Sequence, residues 1–144
     1  MARILIVDDE ISVRVAIQST LEFKGHTVVL AECGHSGAVA IEAFAFDAAL
    51  VDIFMPGMDG LETIRIFRQS APTLPIIAMS GFAVRQARPL PHFFQKAMEL
   101  GAACCLCKPF TARELLKAIE TCTVEAQRSM PPPPVRGDEG RPGS

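Results

Sequence analysis

The chain has 144 residues, 49% of them apolar, and a formal net charge of −2. That is the size of one domain with its own core, and nothing in the charge pattern forms the basic stripe that nucleic acid or an anionic membrane surface would need. No apolar run approaches the roughly 18 residues of a membrane span, and the N-terminus turns acidic too soon for a secretory signal, so a cytoplasmic protein is the expectation.

The run Ile4-Leu5-Ile6-Val7 is continuously apolar and ends in Asp8-Asp9-Glu10. Such a run suits a parallel strand covered on both faces. From about Ile11 to Lys24, Val13, Ala16, Ile17, Thr20 and Leu21 share one helical face, and Gly25 is a C-terminal stop. His26 to Ala31 reads as a second strand and Ser36 to Phe44 as a short helix. Asp47 begins a third strand that delivers Asp52. A loop with Pro56, Gly57, Asp59 and Gly60 follows. Asp59-Gly60-Leu61-Glu62 has the form of a capping box for a helix that buries Leu61, Ile64 and Phe67. Pro75 to Met79 is a fourth strand ending at Ser80-Gly81, and His92 to Leu100 a further helix stopped by Gly101. Ala103 to Cys107 is a fifth strand, ending at Lys108-Pro109-Phe110. Thr111-Ala112-Arg113-Glu114 is a second capping box, opening a helix with Leu115, Leu116 and Ile119 on its packing side.

Five strand–helix repeats make an α/β doubly wound parallel sheet with helices on both faces. The domain is expected to span residues 1–125. Composition shifts near Gln127 toward Pro131–Pro134 and several glycines, so 126–144 reads as a disordered tail with no room for an output domain. Of the cysteines, Cys33, Cys104, Cys105, Cys107 and Cys122, an odd number, reduced and buried thiols are expected. Cys104 and Cys107 form a C-x-x-C, but residues three apart on a strand point to opposite faces and share neither a metal nor a disulfide. His26, His35 and His92 show no ligand pattern.

In a doubly wound sheet the strand ends meet at one edge. Asp8 and Asp9, Asp52, Ser80 and Lys108, scattered over a hundred residues, therefore converge. Three carboxylates in one pocket repel unless a cation intervenes. A hard divalent ion such as Mg²⁺, which takes carboxylates, waters and a phosphoryl oxygen, fits them. Lys108 adds a point charge suited to phosphate and Ser80 a hydroxyl donor. A carboxylate nucleophile beside a metal and an amine is the equipment for accepting a phosphoryl group on Asp52.

Taken together, Asp8-Asp9, Asp52 with Met55-Pro56 and Met58-Asp59-Gly60, Ser80-Gly81 and Lys108-Pro109-Phe110 resemble a response regulator receiver domain of the chemotaxis-regulator type, over about Arg3 to Val124. The resemblance implies a flavodoxin-like strand order 2-1-3-4-5. It implies that Asp52 is phosphorylated by a histidine kinase or histidine phosphotransfer protein of a bacterial two-component system. Asp9 and Asp52 would bind Mg²⁺ directly with the Phe54 backbone carbonyl, Asp8 would act through water, and the Lys108–Pro109 bond would be cis. It also implies a phosphoacceptor that assists its own phosphoryl transfer and hydrolysis, not an enzyme with a separate substrate, passing its signal to a downstream protein. Phe54 and Phe82, two residues past the acceptor and the serine, stand where the family controls the attacking water, so slow loss of the phosphoryl group is expected.

Two features depart from the family. Cys105 replaces the usual aromatic three residues before the lysine, and the stretch from Ser80 to Lys108 is longer, around Arg85 to Pro91. The leading expectation is a stand-alone receiver acting as shuttle, sink or switch. The alternative is a phosphorylation-independent interaction module with the same fold. A metal-dependent phosphatase of the haloacid dehalogenase type is disfavoured, because Asp52 is followed by Ile53-Phe54 and not by x-Asp.

Overall fold

Continuous apolar strands must be covered on both sides, and the chain supplies helices to do so. The computed structural model describes residues 2–53, 60–80 and 91–129. Its elements, in order, are β1 (Arg3–Val7), α1 (Ile11–Phe23), β2 (Thr27–Ala31), α2 (Gly34–Ala43), β3 (Ala48–Asp52), α3 (Gly60–Ser70), β4 (Ile76–Ser80), α4 (Pro91–Leu100), β5 (Cys104–Cys107) and α5 (Ala112–Ser129). The strands form one parallel sheet in the order β2-β1-β3-β4-β5, the expected order.

Alternation along the strands feeds two cores. Leu5, Val7, Ala49, Val51, Ile76 and Ala78 face α2, α3 and α4 through Ala40, Ile64, Phe67 and Ala97. Ile4, Ile6, Leu50, Ile77 and Met79 face α1 and α5 through Ile17, Leu21, Leu115, Ile119 and Cys122. β3 and β4 are buried throughout, whereas the edge strands β2 and β5 are only half-covered. Phe67, wholly buried, seats its ring against Gly37 so closely that a Cβ there would collide with it. Burying such a ring contributes about 1.5–3 kcal/mol.

Local signals explain the boundaries. Gly25 and Gly101 end their helices with positive φ, 90° and 119°, the conformation glycine adopts at no steric cost. Thr111 and Glu114 form the expected reciprocal box: the Thr111 amide donates to Glu114 Oε1 at 2.8 Å, and the Glu114 amide to Thr111 Oγ1 at 3.0 Å.

Three expectations shift. α2 begins at Gly34, before Ser36, because Ser36 caps from inside the first turn, its Oγ accepting from the Cys33 amide at 3.3 Å. Ala16 is exposed, so the buried stripe of α1 is narrower than its spacing suggested. α5 extends through Ser129, past residue 125. For the first capping box, Asp59 lies outside the described residues, and Glu62 engages Arg65 with both carboxylate oxygens.

One side chain without an apparent role in the sequence ties the α3 side together. The Arg68 guanidinium donates to the carbonyls of Ala71 (3.2 Å), Pro72 (2.7 Å), Leu74 (2.8 Å) and Gly101 (2.8 Å). It therefore closes the end of α3 onto the turn between α4 and β5. Burial lowers its pKa from the usual arginine value.

Candidate functional site

Register brings the acids together. Val7 of β1 lies opposite Val51 of β3, so Asp8 and Asp52 follow side by side at the C-terminal edge. Asp52 pairs with Met79 on its other side, and Ser80 with Cys107. The Lys108 amide donates to the Ser80 carbonyl at 2.8 Å, which sets Lys108 immediately after β5 at the same edge. Asp8 and Ser80 are buried and Asp52 is 5% exposed, while Asp9 is exposed.

Each buried charge is compensated. Lys108 Nζ lies 2.6 Å from Asp8 Oδ2 and 3.2 Å from Asp52 Oδ2. The other Asp8 oxygen, Oδ1, accepts from the Glu10 amide at 2.9 Å. Arg14 donates to the Asp8 backbone carbonyl at 2.6 Å, fixing the residue from the α1 side. Burial pulls the Lys108 pKa down. The hydrogen bond to Asp8, the charges of Asp52 and Asp8 and the bond to Asp52 outweigh it, so the amine holds its proton more tightly than an ordinary lysine. An amine locked in its charged form between two carboxylates is a fixed positive point on the floor of the site. The Lys108–Pro109 peptide bond is cis, as expected.

One oxygen from each of Asp8, Asp9 and Asp52 can be chosen so that all lie within 4.8 Å of one another. Among the described residues this is the only such group of three or more potential metal ligands. The donor set is all carboxylate oxygen, which suits a hard divalent cation such as Mg²⁺. Both Asp8 oxygens already accept hydrogen bonds, whereas Asp9 is open to solvent. Phe54 and Phe82 lie outside the described residues, as do Met55, Pro56, Met58 and Asp59. Gly60 is described. It is buried, and its amide donates to the Ile53 carbonyl at 2.9 Å. A Cβ there would overlap the Asp52 carbonyl oxygen and Ile53 Cα, so only glycine lets α3 start this close to Asp52. The sequence flagged Gly60 as a turn residue but gave no sign of this contact. Arg14 was also missed, because on α1 it looks like any solvated arginine.

A family model for the response regulator receiver domain matches residues 4–120. The chain belongs to the response regulator receiver domain family. Its relatives include the response regulator protein FleR of Pseudomonas aeruginosa, 34% identical over 82% of this chain and 24% of that protein. The response regulator MprA of Mycobacterium ulcerans is 38% identical over 79% of this chain and 47% of that protein. The chain thus spans between a quarter and a half of these relatives. A CheY-like receiver domain from Methanospirillum hungatei superposes with a TM-score of 0.82 at 30% identity, covering 90% of this chain and 99% of that one. Receiver domains belong to two-component systems, and that placement, with the flavodoxin-like fold, agrees with the reading of the sequence. No helix among the described residues is long and apolar enough to cross a membrane.

The family's aromatic position, Cys105, lies half-buried on the face of β5 toward α4, its thiol 4.0 Å from the Phe94 carbonyl. Burial, and secondarily Cys107, push its pKa up to about 11. It is a neutral packing group there. The cysteines divide: Cys122 is buried and Cys105 half-buried, as expected of small apolar residues, but Cys107 is exposed at the sheet edge. Cys104 and Leu106 face the α1–α5 core and Cys105 the other, so the alternation that separates Cys104 from Cys107 holds.

Proposed function

We propose that this receiver domain accepts a phosphoryl group on Asp52 from a histidine kinase or histidine phosphotransfer protein, in the cytoplasm. The observation that carries the reading is the Lys108 amine bridging Asp8 and Asp52 at the edge of the sheet. A carboxylate oxygen of Asp52 attacks the donor's phosphorus, the phosphorus–nitrogen bond to the donor histidine breaks, and that nitrogen keeps the electron pair. Lys108 follows the transferring oxygens with a positive charge already in place, so little reorganisation accompanies the reaction. Asp9 and Asp52 would hold Mg²⁺ directly, with the Phe54 carbonyl, and Asp8, whose oxygens are already engaged, would act through water. Bound there, the ion supplies the remaining positive charge against the phosphoryl oxygens. The domain is a phosphoacceptor that assists this transfer and the later hydrolysis, with no separate substrate.

Ser80 then donates to the new phosphoryl group from the end of β4. A hydrogen bond to a charged acceptor is worth about 1.5–3 kcal/mol, whereas inverting a 1:99 population takes about 5.5 kcal/mol. Ser80 alone is insufficient, so Lys108 and the metal must also favour the switched state. The output is a protein–protein contact. Because Cys105 stands where an aromatic normally couples Ser80 to that surface, the signal leaves by a different set of side chains. The same substitution favours a second reading, a receiver fold kept for constitutive contacts.

Incubation with Mg²⁺ and acetyl phosphate, followed by intact mass measurement, separates the two. A gain of one phosphoryl mass that disappears in Asp52→Ala supports the first reading. No gain with either acetyl phosphate or a cognate kinase supports the second, and a gain that survives Asp52→Ala means the acceptor lies elsewhere.

A further inference from the structure

On the face of the sheet away from α4, the Cys104 and Cys122 sulfurs lie 3.1 Å apart. Cys104 is on edge strand β5 and Cys122 on the buried stripe of α5 that also carries Leu115 and Ile119. The phosphoryl chemistry uses neither. We propose that these two thiols form a reversible intramolecular disulfide, a modification site that staples α5 to the edge of the sheet.

Three observations carry this. The sulfurs are 3.1 Å apart, about 1 Å beyond the covalent distance of roughly 2.05 Å. Cys122 is 2% exposed, so a thiol from another molecule cannot compete with Cys104 for it. Cys104 is half-buried on an edge strand, so a small oxidant can reach it. A two-thiol metal site is disfavoured, because no third ligand joins these cysteines among the described residues.

The oxidant is a peroxide. The Cys104 thiolate attacks one peroxide oxygen, the oxygen–oxygen bond breaks and hydroxide leaves, giving a sulfenic acid. The Cys122 sulfur then attacks the Cys104 sulfur. The sulfur–sulfur bond forms, the sulfur–oxygen bond breaks, and water leaves with the Cys122 proton. One peroxide and two thiols thus give one disulfide and two waters. In a reducing compartment the bridge forms only under oxidant exposure and is reversed by thiols. The ring it closes spans 18 positions and contains Lys108, so oxidation braces the segment that delivers the amine to the site.

The test treats the full chain, at low concentration, with hydrogen peroxide. The expected result is a monomer lighter by two hydrogens, restored by dithiothreitol. Arg113 and Lys117 lie between the two cysteines, so trypsin yields a crosslink between the peptides carrying Cys104 and Cys122. The mass loss vanishes in Cys104→Ser and in Cys122→Ser, and survives in Cys105→Ser and Cys107→Ser. Should Cys122→Ser fold poorly, Cys122→Ala decides together with fragment ions of the crosslinked wild-type peptide, which assign the bridge among Cys104, Cys105 and Cys107 on that one peptide. The bridged form melts higher by on the order of 10 °C. Complete alkylation of both thiols after peroxide treatment overturns the proposal, as does a bridge through Cys105 or Cys107. An unshifted melting temperature with the bridge formed contradicts the bracing of β5 on α5.

Discussion

Replacing Lys108 with methionine keeps the length of the side chain and removes its charge. The Lys108 side chain is 13% exposed, and those of its partners Asp8 and Asp52 are 0% and 6% exposed. Two unit charges about 4 Å apart attract by about 4 kcal/mol at an effective dielectric of about 20. Two such pairs are partly offset by the cost of burying the amine. Removing one partner of a buried pair typically costs about 3–5 kcal/mol, because the other charge is left uncompensated. Lys108→Met is therefore expected to lose about 3–5 kcal/mol in urea unfolding with EDTA present. Mg²⁺ should restore more stability to the variant than it adds to the parent, because the amine no longer competes for the Asp8 and Asp52 oxygens. The same lysine sets an alkaline limit. Its folded pKa is raised above 10.5, so its contribution is complete below that pH and is lost as pH rises through the folded value. The variant lacks this loss. A penalty under about 1 kcal/mol in EDTA, or equal Mg²⁺ stabilisation of both proteins, would refute the role given to the amine.

Other substitutions test other joints. Gly60→Ala should cost about 1–3 kcal/mol by urea unfolding, despite alanine's better helix propensity, and should lower phosphorylation yield, because the added Cβ displaces the Asp52 backbone. Arg68→Ala is expected to cost about 2–3 kcal/mol in the same assay, a figure reduced from the sum of four charged hydrogen bonds because the guanidinium is partly exposed. Burial is the main cause that lowers the His26 pKa from 6.5, and its Nδ1 accepts from the Ala2 amide at 3.1 Å. The stability it lends is present above pH 6.5 and lost as pH falls through the lower folded value. A pH series of melts should show that decline in the parent and a flatter profile in His26→Gln.

The architecture was legible because apolar runs, glycine stops and the Thr111–Glu114 box all agree on where elements begin and end. The site was legible for a simpler reason: in a parallel sheet every strand ends at the same edge, so Asp8, Asp52, Ser80 and Lys108 had to meet. What stayed hidden depends on distances between elements. Arg68 sits in an ordinary polar stretch of α3, and its acceptors are backbone carbonyls with no signature in the sequence. The contact of Gly60 with the Asp52 backbone follows from how closely α3 abuts β3. Strand alternation excluded Cys107 as a partner of Cys104 but named no other, whereas the Cys122 sulfur lies 3.1 Å from it. The spacing of Leu115, Ile119 and Cys122 along α5 was the signal that could have pointed to it.

The central claim is that Asp52 carries the phosphoryl group. Borohydride reduces an acyl phosphate to the alcohol, converting a phosphorylated aspartate to homoserine. Phosphorylate the chain in Mg²⁺, trap it with borohydride and map the product by tandem mass spectrometry. Homoserine at position 52, absent when EDTA replaces Mg²⁺, is the predicted result. Homoserine at Asp8 or Asp9, or an unmodified position 52 in protein that has gained the phosphoryl mass, would contradict it.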